Sequence, residues 1–390
     1  MPEPPKRTEE GPFGHDVAFL KKHTDVIVLS REDGAQVAVC PGYQGRVMTS
    51  SADGDAGLSF GWINRELIAK SERQPHINVF GGEDRFWLGP EGGQFSIFFK
   101  KGDPFDLKHW FTPEGIDWGA YDLVSKDSDR LVFTKTMTLT NYSDFVFDVQ
   151  VDREVRLLAA EDMEKMIGAK PGAGVKAVGY LSDNKITNKG KAEWKKETGL
   201  LSIWILGMFT PTPDTTIVIP FRTGTESELG PVVNDDYFGK VPADRLIIKD
   251  GAMYFRGDGK YRSKIGLSRK RCKPTVGSYD AGNKVLTLVQ FTLPEGATDY
   301  VNSMWEMQKQ PYAGDVVNSY NDGPPEPGAK PLGPFYELET SSPAAALKPN
   351  ESLSHVHKTV HLQGPEEELD KIATAALGVG LAEIKGAFAR

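Results

Sequence analysis

Apolar residues recur at every second position through most of this 390-residue chain, and that period constrains the fold more than any other feature. A period of two sends alternate side chains to opposite faces of an extended strand. Runs such as Gln94–Lys100 (QFSIFFK), Leu131–Thr140 (LVFTKTMTLT) and Phe145–Leu157 (FVFDVQVDREVRL) carry it, each bounded by Gly, Asp, Asn or Ser. Asp25–Ser30 and Gln36–Cys40 flank Arg31–Ala35, a hairpin with its glycine in the loop. Leu200–Met208, Thr216–Phe221, Arg245–Ile248, Ala252–Phe255 and Lys284–Thr292 continue the pattern. Helical signals are few. Asp16 is placed to cap residues 17–23, Met163–Ala173 reads as a short helix or a loop, and Pro365 opens a helix. In that last helix Leu369, Ile372, Ala373 and Ala376 share an apolar face, and Gly378 and Gly380 break it. The expected fold is all-β: two large antiparallel sheets packed face to face, with few peripheral helices and a C-terminal helix. The expected division is a flexible tether over 1–13, one β-sandwich domain over 14–364, and a helical segment over 365–390 packed on it.

Composition removes several functions. With 46 Lys and Arg against 54 Asp and Glu the net charge is −8, which argues against nucleic acid as a partner. The longest apolar run, Leu200–Phe209, is far shorter than the roughly 20 residues that span a bilayer. Two cysteines, Cys40 and Cys272, make no disulfide scaffold, and their strand-like surroundings predict buried free thiols. The opening Met1-Pro2-Glu3-Pro4-Pro5-Lys6 has no apolar core. The expectation is therefore a cytoplasmic protein, or a periplasmic or secreted one whose export signal has been removed. Oligomeric state is not legible. The 41 Gly and 26 Pro exceed ordinary usage and cluster at Gly81–Gly93 and Gly323–Pro334, beside the polar segments described next.

Four segments hold polar groups that strands do not need for packing. His76–Gln94 (HINVFGGEDRFWLGPEGGQ) gathers His76, Glu83, Arg85 and Trp87 among glycines, which suits a sugar ring or a salt-bridged hairpin. Lys108–Glu114 sets His109 beside Trp110 and Phe111, either a sugar platform with a proton carrier or a capped aromatic cluster. Asn302–Gly323 mixes Trp305, Asn321 and Asp322 with other amides, as carbohydrate subsites and long ordered loops both do. The fourth is the most informative. In Phe335–Thr340 the alternation puts Glu337 and Glu339 on one face, where like charges raise at least one pKa unless cations compensate. His355, His357, Thr359 and His361 line one face of the next strand. His at i and i+2 beside a glutamate can ligate a metal, so His355 and His357 are weak candidates, although polar-faced strand histidines are commoner. No cofactor is called for. Neither a nucleophile elbow nor an activated cysteine is present.

The stretch ELETSSPAAALKPNESLSHVHKTVHLQG resembles the end of the galactose mutarotase-like (aldose 1-epimerase-like) superfamily. Leu338-Glu339-Thr340 matches that family's strand carrying the general base, and Leu347-Lys348-Pro349-Asn350-Glu351 matches its turn with Asn for Gly. Arg85 falls where the family has a sugar-contacting arginine. The resemblance covers roughly residues 25–364 and implies the family's β supersandwich. One departure is plain. The strand that would carry the family's Asn-His pair offers Asp152-Arg153, and arginine is a poor general acid.

The resemblance implies a carbohydrate-active protein acting by acid–base chemistry on an aldose or a glycan end. Glu339 would take the anomeric proton, His109 or His76 would protonate the ring oxygen, and Glu337 would keep Glu339 poised. Arg85, Trp87, Glu83, Trp110, Arg153, Asp152, Trp305, Asn321 and Asp322 would hold a mono- or oligosaccharide. The alternatives are a non-catalytic glycan-binding protein, or a polysaccharide lyase or glycoside hydrolase on the same fold.

Overall fold

The computed structural model describes residues 12–326 and 328–388. Their strands form three sheets, of ten, five and three strands. In the largest, every neighbouring pair is antiparallel, and the long strands Ser352–Gln363, Lys176–Asn188 and Val146–Leu157 run side by side at its centre. The five-stranded sheet runs in the order Ser263–Ser268, Asp315–Asn321, Tyr336–Ser341, Ser202–Phe209 and Arg85–Gly89. It lies on the larger sheet with an apolar core between them that draws Val149, Val151, Ile203 and Ile205 into one cluster. This is the expected sandwich.

Polar residues interrupt that core in a defined layer. His355, His357, Thr359 and His361 all point inward and are buried. Thr340 Oγ1 of the facing sheet lies 2.9 Å from both His355 Nε2 and His357 Nδ1. Nearby, Arg153 Nη2 lies 2.7 Å from Asp84 Oδ1, and neither side chain has any exposure. Glu83 Oε2 accepts from Tyr180 at 3.0 Å and lies 2.9 Å from His361 Nε2. Buried charges survive only when paired this fully.

The helices are peripheral. Glu366–Leu377 buries Leu369, Ile372, Ala373 and Leu377 against Val218, Tyr279 and Leu288 on the outer face of the ten-stranded sheet. Gly378 ends it in the left-handed conformation. The short helix Leu381–Gly386 follows. The inserted segment Met163–Ala173 is part helix and part loop, since the helix Ala160–Ile167 ends at Gly168.

Four expectations are corrected. The first helix spans Phe13–Leu20 rather than 17–23, and Asp16 does not cap it. Asp16 instead pairs with Arg65 and accepts from Ser59, so its carboxylate is occupied inside the fold. Phe13 is fully buried, which ends the tether before it; the tether's residues 1–11 lie outside the described residues. Gln94–Lys100 is not a strand: it has no ladder partner, and its apolar side chains are buried as an aromatic wedge, with Phe98 against Trp87 and Phe99 against Trp305. Conversely, Asp315–Asn321, which reads as part of a long polar loop, pairs on both sides within the five-stranded sheet.

Candidate active site

The face of the five-stranded sheet turned away from the core forms the floor of a cavity of about 590 Å³. That volume lies within the roughly 300–1,000 Å³ of small-molecule sites. Register fixes the floor. Lys264, Tyr320, Glu337 and Met208 are direct partners across four strands, and Asn318, Glu339, Leu206 and Arg85 make the adjacent row. Trp204 and Trp87 follow as a third row. Loops add Trp110 and Trp305, whose rings stack with centroids 5.9 Å apart, so that four tryptophans line the cavity.

Charges on this floor are arranged in crossed pairs. Arg85 Nη2 donates to Glu337 Oε1 at 3.1 Å while its guanidinium lies over Trp87, 4.3 Å from the ring centroid. Lys264 Nζ donates to Glu339 Oε2 at 3.0 Å, and Trp204 Nε1 donates to the same oxygen at 3.0 Å. Glu337 lines the cavity; Glu339 is fully buried beneath Lys264 and Trp204. Burial, with the like charge of Glu339 added and Arg85 opposing, pushes the Glu337 carboxyl up to about 8. Burial raises Glu91 to about 7 against the pull of Lys264, and raises Asp322 to about 6 against its hydrogen bonds from Gly333 and Tyr320. Burial disfavours the Lys264 ammonium, yet Glu339, Glu91 and Glu337 outweigh it and hold its pKa above the ordinary lysine value. Burial thus raises Glu337 further than Asp322, and carboxyls of separated acidity are what acid–base chemistry uses.

Of the residues expected from sequence, Arg85, Trp87, Trp110, Trp305, Asp322 and Glu337 line this cavity together. The others do not. His109 lies near the surface, its Nδ1 2.6 Å from Asp106 three residues earlier, and is not a lining group. His76 stacks on Phe111 at 4.2 Å with its Nδ1 on the Trp110 carbonyl oxygen. It holds the wall that carries Trp110 rather than facing the cavity. Glu83 and Arg153 belong to the buried layer between the sheets. Asp152 is on the opposite strand face, paired with Lys185 at 3.0 Å. Asn321 pins a loop, accepting from Gly259 N at 2.8 Å and donating to the Tyr261 carbonyl at 2.9 Å. His355 and His357 share Thr340, and burial lowers them to about 3 and about 4, so both are neutral imidazoles of the core. Among the described residues no group of three or more His, Cys, Asp or Glu is placed to hold a metal. Cys40 and Cys272 are free and buried.

Sequence reasoning missed Trp204, Lys264 and Arg262, which also line the cavity, as does Glu91 of the His76–Gln94 segment. Trp204 lay inside an apolar run that gave no sign of which face it would serve. Lys264 had a usable signal: a lysine alternating with Ser263 and Ile265 in a short strand-like run faces whatever the sheet covers. Arg262 stacks on Phe238, 3.9 Å from the ring centroid.

Fold and floor define a β-sandwich protein with an aromatic-walled cavity containing carboxyls of separated acidity. The chain belongs to the family of unknown function DUF6786, whose model matches residues 11–388. No curated protein matches the sequence. Among solved structures it is similar to the Slr1438 protein of Synechocystis sp. PCC 6803, at 12% identity and TM-score 0.51 over 88% of this chain and 98% of that one. It is also similar to a galactose mutarotase-like protein of Lactobacillus casei ATCC 334, at 11% identity and TM-score 0.48 over 87% and 100%. A galactose mutarotase related enzyme of Lactobacillus acidophilus gives 9% identity and TM-score 0.47 over 86% and 97%. At these identities the likeness concerns the fold alone. No helix among the described residues is long and apolar enough to cross a membrane.

Proposed function

We propose that this chain binds a sugar in the aromatic cavity and performs acid–base chemistry at its anomeric centre, in the manner of an aldose 1-epimerase. The observation that carries this reading is Glu337, a cavity-facing carboxyl held at about 8 beside Arg85 and four tryptophans. Tryptophan faces stack on the apolar faces of sugar rings, and Arg85 and Lys264 offer charged donors to hydroxyls. The roles differ from those the resemblance implies. Glu337, protonated at neutral pH, gives its proton to the ring oxygen. Asp322, ionised above about 6, takes the proton of the anomeric hydroxyl. The bond between C1 and the ring oxygen breaks, leaving an open-chain aldehyde; rotation about C1–C2 and the reverse proton transfers close the other anomer. Glu339 acts from below by holding Lys264 and Trp204.

The test is anomer exchange followed by NMR across a panel of aldoses. Catalysed exchange that falls about 10²-fold or more in Glu337→Gln supports the reading. Exchange at the uncatalysed rate for every sugar, with tryptophan fluorescence still reporting binding, leaves non-catalytic glycan binding instead. That second reading is favoured by one observation, the covering of Glu339 by Lys264 and Trp204.

A further inference from the structure

Four cationic side chains line the cavity, and three of them are answered by protein groups. Lys264 donates to Glu339 at 3.0 Å, and Lys330, exposed at the mouth with Glu306, lies 3.2 Å from Glu66. Arg262 stacks on Phe238, and its charge acts on Asp322. Arg85 is the exception. Its Nη2 donates to Glu337 at 3.1 Å, while Nε and Nη1 are buried without a hydrogen-bond partner. The indole N–H of Trp87, over which the guanidinium lies, has none either. Among the described residues no other carboxylate pairs with Arg85. Burial favours the neutral form of the Glu337 carboxyl, so that partner compensates the guanidinium only in part. A buried cation with unspent donors is costly until an anion meets it.

The order of strands sets which part of a sugar Arg85 meets. Tyr336–Ser341, which carries Glu337, has Asp315–Asn321 on one side and Ser202–Phe209 followed by Arg85–Gly89 on the other. Asp322 comes directly after Asp315–Asn321 and lines the cavity. Across the floor the order is therefore Asp322, Glu337, Arg85. A pyranose presents C1 with its hydroxyl, the ring oxygen and C5 in the same order. With the ring oxygen at Glu337 and the anomeric hydroxyl at Asp322, the substituent on C5 is directed to Arg85.

Resting on the sugar reading above, we propose that the substrate is a hexuronic acid with a free anomeric hydroxyl, and that Arg85 holds its C5 carboxylate. A carboxylate supplies both the charge and the acceptors that Arg85 lacks, whereas the hydroxymethyl group of a neutral hexose supplies no charge. The anomeric hydroxyl stays available to Asp322. A hexose 6-phosphate fits less well: its near-dianionic group stands two bonds further from C5 and meets one unanswered cation.

The experiment is titration calorimetry on the full chain at pH 7 with glucose, galactose and mannose, their uronates and uronamides, and glucose 6-phosphate. At least one uronate should bind about 10- to 100-fold more tightly than its parent hexose, the worth of one charge-assisted contact. Its uronamide, which keeps the shape without the charge, should bind as the hexose does. Arg85→Leu should abolish the preference and Arg85→Lys should keep part of it, with circular dichroism checking the fold. If neither variant folds, the comparison of uronate with uronamide decides. Uronates that bind no more tightly than hexoses or uronamides overturn the inference, while hexose binding with catalysed anomer exchange leaves the sugar reading standing. A preference that survives Arg85→Leu, or tighter binding of glucose 6-phosphate, overturns the inference in the same way. No binding by any compound, with anomer exchange at the uncatalysed rate, overturns both.

Discussion

Lys264 covers Glu339: its ammonium lies 3.0 Å from Oε2, and the glutamate retains no exposure to the cavity above. The carboxylate that the motif Leu338-Glu339-Thr340 marks as a base is thereby a neighbour of the site rather than its surface. Breaking a buried pair from one side leaves an uncompensated charge, at a cost of about 3–5 kcal/mol. Lys264→Met should lose that much stability in chemical denaturation, and adding Glu339→Gln should restore most of it. Equal stability of Lys264→Met and the unsubstituted chain contradicts the pairing.

Glu337 predicts a pH dependence with a definite sign. Its pKa is about 8 in the fold against an ordinary 4.5, so over that window the folded state keeps a proton that the unfolded chain releases. The stability tied to this group is present below about 4.5 and is lost as pH rises towards 8. Glu337→Gln, which cannot ionise, should become progressively more stable relative to the natural chain between pH 5 and 8. Parallel melting curves for the two across that range count against it.

His355 and His357 act in the opposite direction. Burial holds them at about 3 and about 4, below the ordinary 6.5, so the unfolded chain takes up protons first as pH falls. Their contribution is intact above 6.5 and declines below it, by about 2 kcal/mol each between pH 6.5 and 5. Melting temperatures should drop steeply over this interval. His357→Gln should make the slope shallower even if it lowers the starting value.

Arg153 separates core from site. Arg153→Met strips Asp84 of its partner where neither is exposed, and should cost about 3–5 kcal/mol. Because Arg153 is not a cavity residue, the folded fraction should keep its ligand affinity. A large loss of affinity without a loss of stability is the contrary outcome.

The sandwich was legible because alternation is a local property. Tyr336–Ser341 and Ser352–Gln363 occur where period two placed them, and the helix Glu366–Leu377 begins just after Pro365. The site was legible only where the same rule applied, as with Glu337 on the floor strand. The histidines expected to carry a proton are not in the cavity: His109 is held by Asp106 and His76 by its stack on Phe111, and alternation says nothing of either contact. Gln94–Lys100 shows the converse limit: its alternation reports real burial, but a strand also needs a partner, and none is supplied. Lys264 and Arg85 approach Glu339 and Glu337 across strands far apart in sequence, so only register brings them together.

Tyr336–Ser341 carries two independent messages in one strand. Glu337 and Glu339 are directed to the cavity side, while Leu338 packs in the core and Thr340 meets His355 and His357 between the sheets. A change at Glu337 therefore alters the cavity floor while Leu338 and Thr340 keep the two layers bonded. One strand can thus reshape the cavity floor without disturbing the layer beneath it.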